Sequence, residues 1–266
     1  MLSLLAGSST AVGAMIVILL RRISSRVVSF SLGFASGVML LVAFLDLFLE
    51  AVGLLTHFEL LLMFSVGAIA MIVLDVVLPH VEPGTKGPNS ESYEKEDGGD
   101  VFQTGVHIRA QASEPGSRLL ERGRLIALGI TLHNFPEGLV VAAGYSYLPK
   151  LGIIIAIAVM LHNIPEGLAT AILLRAAGMK SPKVFILTLL SGLTEPLAAF
   201  ISAFAFSFLS SKSIVGYSLA FAAGVMTYIT ADELIPLAHE YGHKHTVSIS
   251  LLLGIMFALL VDTLLS

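Results

Sequence analysis

A chain of 266 residues that is 56% hydrophobic and 13% charged, with a mean hydropathy of +0.90, is too apolar for a soluble globular protein, where about a quarter of residues are charged. Its length would otherwise allow two soluble domains, and a net charge of −4 gives no hint of nucleic-acid binding. With no cysteine at all, disulfides, cysteine-zinc sites and thiol catalysis are excluded, and the redox compartment cannot be read.

Apolar stretches of roughly 17–25 residues can cross a bilayer as helices. Eight are predicted in chain order: about 2–20, 27–49, 60–79, 122–146, 151–174, 184–209, 214–237 and 247–265. No Lys or Arg precedes Arg21, so span 1 is expected to be a membrane helix and not a signal peptide. Basic residues gather in alternate connections: Arg21, Arg22 and Arg26, then Arg175, Lys180 and Lys183, then Lys244. The opposite side carries only Lys150 and Lys212. The positive-inside rule therefore places both termini outside the cytoplasm, with the cell membrane as the expected address. The stretch 81–121 is polar and rich in Gly, Pro, Ser and Glu. It is expected to be a disordered cytoplasmic loop, with His107 a plain surface residue. The whole chain, 1–266, then forms one all-α transmembrane domain.

The spans repeat. SLGFASGVM at 31–39 returns as SLAFAAGVM at 218–226, with seven of nine residues identical, and the same offset of 187 superposes Asp46 on Glu233, Gly67 on Gly254 and Asp75 on Asp262. Span 2 thus matches span 7, and span 3 matches span 8. Around span 1 the match is weaker, with Leu5 and Gly7 against Leu190 and Gly192 at an offset of 185. LHNFPEGL at 132–139 matches LHNIPEGL at 161–168, so span 4 repeats as span 5. Each pair joins an odd to an even span, and the mates cross the membrane in opposite directions. That is an inverted-topology repeat, the architecture of many secondary transporters, with the substrate near the midplane.

On a helix, residues four apart share a face. His133 and Glu137 are so spaced, as are His162 and Glu166, and Asn134 and Asn163 stand three residues before the same glutamates. Pro136 and Pro165 free the carbonyls of Leu132 and Leu161 and are expected to kink their helices. Irregular backbone at membrane depth is tolerated where protein or a polar cavity surrounds it. Two His, two Glu and two Asn brought together suit Zn²⁺, Fe²⁺, Mn²⁺ or Co²⁺, and the lack of thiolate argues against Cu(I). An ionised carboxylate at mid-bilayer costs about 3 kcal/mol on insertion scales, which a divalent cation would offset. Glu195, before Pro196 and well inside span 6, adds a further buried carboxylate.

FSLGFASGVMLL, TLHNFPEGL, LHNIPEGLA, SGLTEP and DELIPLAHE follow one another along the chain, and in this it resembles the ZIP (Zrt/Irt-like) family of divalent metal transporters, most of all its bacterial ZupT/GufA-type branch. The resemblance covers all eight spans. It implies a 3+2+3 helix arrangement around a binuclear centre drawn from spans 4, 5 and 6. One metal position would take His133, Glu137, His162 and Glu166, with Met39 of span 2 nearby. The second would take Asn134, Asn163 and Glu195, with Glu137 and Glu166 as bridges. The implied cargo is Zn²⁺, with Fe²⁺, Mn²⁺, Co²⁺ or Cd²⁺ as further ions.

Other charged groups mark expected stations for a cation. Asp46 falls near the outer end of span 2, while Asp232 and Glu233 fall near the inner end of span 7. Asp75 and Asp262 are repeat mates within spans 3 and 8. His239 and His243 share a face at the inner mouth, with Glu240 and His245 beside them. The competing function is an intramembrane metal-dependent hydrolase. It would need a general base beside an open metal position, and neither HN-x-PEG segment is an H-E-x-x-H. The partners expected are divalent cations and the lipid bilayer, with a homodimer as the candidate assembly.

Overall fold

The computed structural model describes residues 1–20, 24–77, 116–176, 178–208, 211–242 and 244–265; within its helices the side chains of Asp75, residues 116–130, His133 and residues 176, 244 and 265 are not described. Most of the 81–121 segment with His107, as well as Arg21, Arg22 and His243, lies outside the described residues. Every regular element among the described residues is helical. We number the membrane helices α1 (Leu2–Leu20), α2 (Ser25–Val52), α3 (His57–Val77), α4 (Gly116–Tyr147), α5 (Pro149–Ala176), α6 (Ser181–Phe208), α7 (Lys212–Tyr241) and α8 (Lys244–Leu265).

Seven of these are long and apolar enough to cross a membrane among the described residues. The eighth, α4, carries Thr131, His133, Asn134 and Glu137 along its 32 residues. It also begins earlier than its apolar run suggests. Residues 116–121, expected to be loop, are the start of the helix. Their charged side chains do not stop hydrogen-bonded backbone from continuing beyond the apolar run.

Local chemistry sets the ends. Ser24 caps α2 by accepting from the Val27 N–H at 3.3 Å. Thr56 and Glu59 form a reciprocal capping box at the start of α3, with the Tyr217 hydroxyl of α7 donating to Glu59 at 2.7 Å. Gly178, at φ 83°, closes the turn between α5 and α6 in the left-handed region that suits glycine. α6 is broken at Leu193 between Ser181–Gly192 and Thr194–Phe208. Pro196 falls in the first turn of the second piece, where its missing N–H is harmless. By contrast α4 and α5 run without a break in their helical assignment through Pro136 and Pro165.

The contacts obey the repeat. α1 packs on α5 as α6 packs on α4; α2 packs on α8 as α7 packs on α3; α2 packs on α5 as α7 packs on α4. Close approaches recur in pairs. A methyl group at Gly37 would meet the Leu251 carbonyl oxygen, and one at its mate Gly224 would meet the carbonyl oxygen of Phe64, the mate of Leu251. Gly254 against Phe34 and Gly67 against Phe221 form another such pair. Gly7 and Gly192, themselves mates, meet each other. Hydrogen bonds repeat as well: Ser9 Oγ donates to the carbonyls of Ala6 and Met160, while Thr194 Oγ1 donates to those of Ser191 and Thr131. The weak match around span 1 is therefore a real one.

Two π-helical segments occupy matched places, Val42–Phe48 in α2 and Thr230–Leu234 in α7. They carry the mates Asp46 and Glu233, and such wide turns are frequent at functional sites. α2, α5 and α7 are the most buried helices, whereas α3 and α8 are largely exposed to the surroundings. In a bilayer those exposed faces, rich in Leu, Ile, Val and Phe, meet lipid.

Candidate metal centre

Leu148 alone separates α4 from α5. Its N–H bonds the Gly144 carbonyl at 2.8 Å, and its carbonyl accepts from Gly152 at 3.1 Å. A link of one residue forces the two helices antiparallel and adjacent. The two HN-x-PEG segments lie about equally far from that turn, so they face each other at one depth. Gly138 and Gly167, which close the two segments, let the neighbouring helices in. A methyl at Gly138 would collide with the Glu195 carbonyl oxygen, and one at Gly167 with that of Thr10.

The result is a cluster in which Glu137, His162 and Glu166 each offer a ligand atom within 4.8 Å of one another. His162 Nε2 sits 3.0 Å from Glu137 Oε1, and both side chains are buried, at 0% and 2% exposure. Glu166 keeps some accessible surface. His162 Nδ1 and Glu137 Oε2 have no hydrogen-bond partner. Buried polar atoms are normally paired, and the ligand atoms that Glu137, His162 and Glu166 gather here make up the donor set of a cation site. Carboxylate and imidazole are ligands that zinc accepts, with tetrahedral sites the commonest.

Asn163 Nδ2 donates to Glu195 Oε1 at 2.5 Å and to the Ala6 carbonyl at 3.0 Å. Its mate Asn134 donates to Ser191 Oγ at 3.2 Å, and Ser191 is the mate of Ala6. With their N–H groups so engaged, both amides leave Oδ1 buried and unpaired, as is Glu195 Oε2. Glu195 lies within electrostatic reach of Glu137 and Glu166. The structure thus brings Glu137, His162 and Glu166 together, bonds Asn163 to Glu195, and holds Asn134 on Ser191. His133 stands next to Asn134 on α4, but its side chain is outside the described residues.

The remaining expected residues divide. Met39 is buried with its sulfur 3.9 Å from the Thr230 hydroxyl, a contact within the core between α2 and α7. Asp46 is buried and lines a narrow cavity with Val38, Val42, Ile154, Leu161 and Val261. Asp262 and Glu50 act on it electrostatically. Glu233 lies within electrostatic reach of Glu166. Asp232 is exposed and accepts from the Tyr228 hydroxyl at 3.2 Å. His239, also exposed, places Nδ1 2.8 Å from the Ile235 carbonyl of its own helix. Its expected companion His243, and the side chain of Asp75, fall outside the described residues. Sequence reasoning missed Ser191 and the Ala6 carbonyl, the partners of the two asparagines. The offset of 185 that joins Ala6 to Ser191 and Thr10 to Glu195 was the available signal.

The family model for ZIP zinc transporters matches residues 1–262. The chain is 36% identical to the zinc transporter ZupT of Chlorobaculum parvum, over 99% of its own length and 96% of that protein's. It is 38% identical to the zinc transporter ZTP29 of Arabidopsis thaliana, over 92% of this chain and 87% of that one. Identity to the ZupT zinc transporter of Streptococcus mutans is 32%, covering 96% and 92% respectively.

Proposed function

The chain belongs to the ZIP family of zinc transporters, and on that premise we propose that it carries Zn²⁺ into the cytoplasm through the centre between α4, α5 and α6. It is an integral membrane transporter of divalent metal ions and not an enzyme. The observation that supports the site is the Glu137–His162–Glu166 cluster, whose ligand atoms gather from two symmetry-related helices. In this reading His133, Glu137, His162 and Glu166 hold a first ion. Asn134, Asn163 and Glu195 complete a second position, with Glu137 and Glu166 bridging the two. Fe²⁺, Mn²⁺, Co²⁺ and Cd²⁺ present similar demands and compete with zinc to differing degrees.

The basic connections put both termini outside the cell membrane. A negative interior then draws a divalent ion inward by roughly 4.6 kcal/mol per 100 mV, at about 2.3 per charge. Asp46, with its cavity reaching Leu161 beside His162, serves the outer approach. Glu233, within reach of Glu166, serves release. Purified protein in liposomes should take up zinc without ATP, and uptake should rise with an inside-negative potential. Because the chain has no cysteine, Lys150→Cys and Lys180→Cys report sidedness without background. The first should react from outside intact cells and the second only after permeabilisation. Failure of liposomes to accumulate zinc overturns the function, and the reversed labelling pattern overturns the direction.

The two metal positions are unequal in this reading. His133→Ala removes a first-position ligand and should raise the KM for zinc about tenfold or more, as even outer-shell changes cost 10–100-fold in affinity. Glu195→Ala touches only the second position and should alter ion ranking more than KM. Equal and complete loss of uptake in both variants would contradict the division.

A further inference from the structure

We propose that Ser191 is a positioning residue of the transport site, whose hydroxyl sets the direction of the Asn134 amide and, through it, the ranking of ions. The proposal rests on the reading of Asn134 as a ligand of the second position. Asn134 stands on α4 three residues before Glu137, a member of the Glu137–His162–Glu166 cluster, and residues so spaced share a helix face. It is fully buried, and its Nδ2 donates to Ser191 Oγ at 3.2 Å across the contact between α4 and α6. In a planar amide the oxygen points away from the nitrogen, so the bond that holds Nδ2 on α6 also fixes where Oδ1 is aimed. Among the described residues Oδ1 accepts no hydrogen bond.

The backbone around Ser191 is pinned to α4. Ser191 lies in the last turn of α6 before its interruption at Leu193, and Glu195 in the first turn after it. Thr194, between them, donates through Oγ1 to the Ser191 carbonyl at 2.6 Å and to the Thr131 carbonyl of α4 at 3.2 Å. The Glu195 carbonyl lies so close to Gly138 of α4 that a methyl there would collide with it. Contacts to Thr131, Asn134 and Gly138 thus follow one another along two turns of α4, and a slide of α6 would disturb all three. Ser191 and Glu195 also divide the two asparagines between them, since Ser191 accepts from Asn134 and Glu195 from Asn163.

Without the Ser191 hydroxyl, Nδ2 must find another acceptor, and the amide is free to turn its NH₂ group, a pure donor, to where a cation needs an acceptor. An amide oxygen is a hard ligand of the kind that manganese favours, whereas imidazole suits zinc. Losing the aimed oxygen therefore weakens manganese more than zinc. Ser191 does this without touching the ion, by way of Asn134.

The test compares wild type, Ser191→Ala, Asn134→Ala and the double variant in liposomes. It reads the manganese concentration that halves zinc uptake, together with the thermal midpoint of each protein in detergent. Asn134→Ala should raise that concentration about tenfold, and Ser191→Ala about threefold, the worth of one hydrogen bond. In the double variant Ser191→Ala should add nothing to Asn134→Ala, because its route to the ion is gone. Midpoints should stay close to that of wild type. An unchanged ranking in Ser191→Ala overturns the proposal, and so does an increment that persists in the Asn134→Ala background. A lowered midpoint in Ser191→Ala, alone or with Asn134→Ala, also overturns it and leaves Ser191 as packing between α4 and α6. Failure of the underlying reading, which takes the proposal with it, looks different: Asn134→Ala itself leaves the ranking as it was, manganese does not compete in the wild type, or the wild type takes up no zinc.

Discussion

Zinc uptake should fall about a hundredfold or more when Glu166 is replaced by glutamine, with the protein still inserted and at normal abundance. The substitution keeps the shape and the hydrogen-bonding capacity of the side chain but removes its charge. In the proposed centre Glu166 lies within 4.8 Å of ligand atoms from Glu137 and His162 and bridges both metal positions, so a neutral amide weakens both at once. Loss of a direct ligand exceeds the 10–100-fold effects of outer-shell partners. Folding should not suffer, since removing a buried charge lightens the burden of carrying it through an apolar medium. Measured zinc uptake in liposomes, paired with membrane fractionation of the variant, separates the two effects. Undiminished uptake would leave the HN-x-PEG segments as mere staples between helices.

The largest structural effect is expected at the glycines that admit α6 and α1 to the central hairpin. A Cβ at Gly138 or Gly167 would collide with the backbone carbonyl oxygen of Glu195 or Thr10. Backbone cannot rotate away as a side chain can, so the helices themselves must part. Overpacking costs about 1–3 kcal/mol for ordinary cores and more where nothing yields. Gly138→Val and Gly167→Val should therefore both abolish a stable fold, and the alanine variants should each lower the thermal midpoint in detergent by similar amounts. Gly53→Ala is the control, because its nearest neighbour would be an ordinary 3.5 Å away. Unequal effects at the two mates would break the symmetry on which the site is built.

Much of this was legible in the chain. Apolar runs fix the count of helices, and a polar set that recurs within them marks the site, because burying His162, Asn163 and Glu166 without purpose is unfavourable. The resemblance to a known family added the pairing of ligands across spans 4, 5 and 6, which spacing on one helix does not reveal. The partners of Asn134 and Asn163 escaped for a specific reason. One is a serine hydroxyl and the other an alanine carbonyl, so one half of the repeat uses backbone where the other uses side chain. The π-helical turns escaped too. VAFLDLF and TADEL contain nothing that forbids an α-helix, and an extra residue in a turn exists only in the backbone. The early start of α4 was hidden by its charges, which mark exposure to water without forbidding a helix.

The meeting of Gly7 with Gly192 bears on ancestry. Equivalent positions that touch each other lie on the symmetry axis, as they do at an isologous dimer interface, where one surface is its own complement. While two copies of a shorter chain paired in this antiparallel way, every mutation at an axial position struck both sides of the contact together. Only a residue compatible with its own image persists under that condition, and glycine is the least demanding choice. Joining the copies into one gene releases the rest: each half then drifts alone. Ala6 and Ser191, matched in place and different in chemistry, show that freedom, one holding its asparagine by a backbone carbonyl and the other by a hydroxyl. A duplicated protein acquires through such a pair what a homodimer cannot encode, a site whose two ends are different.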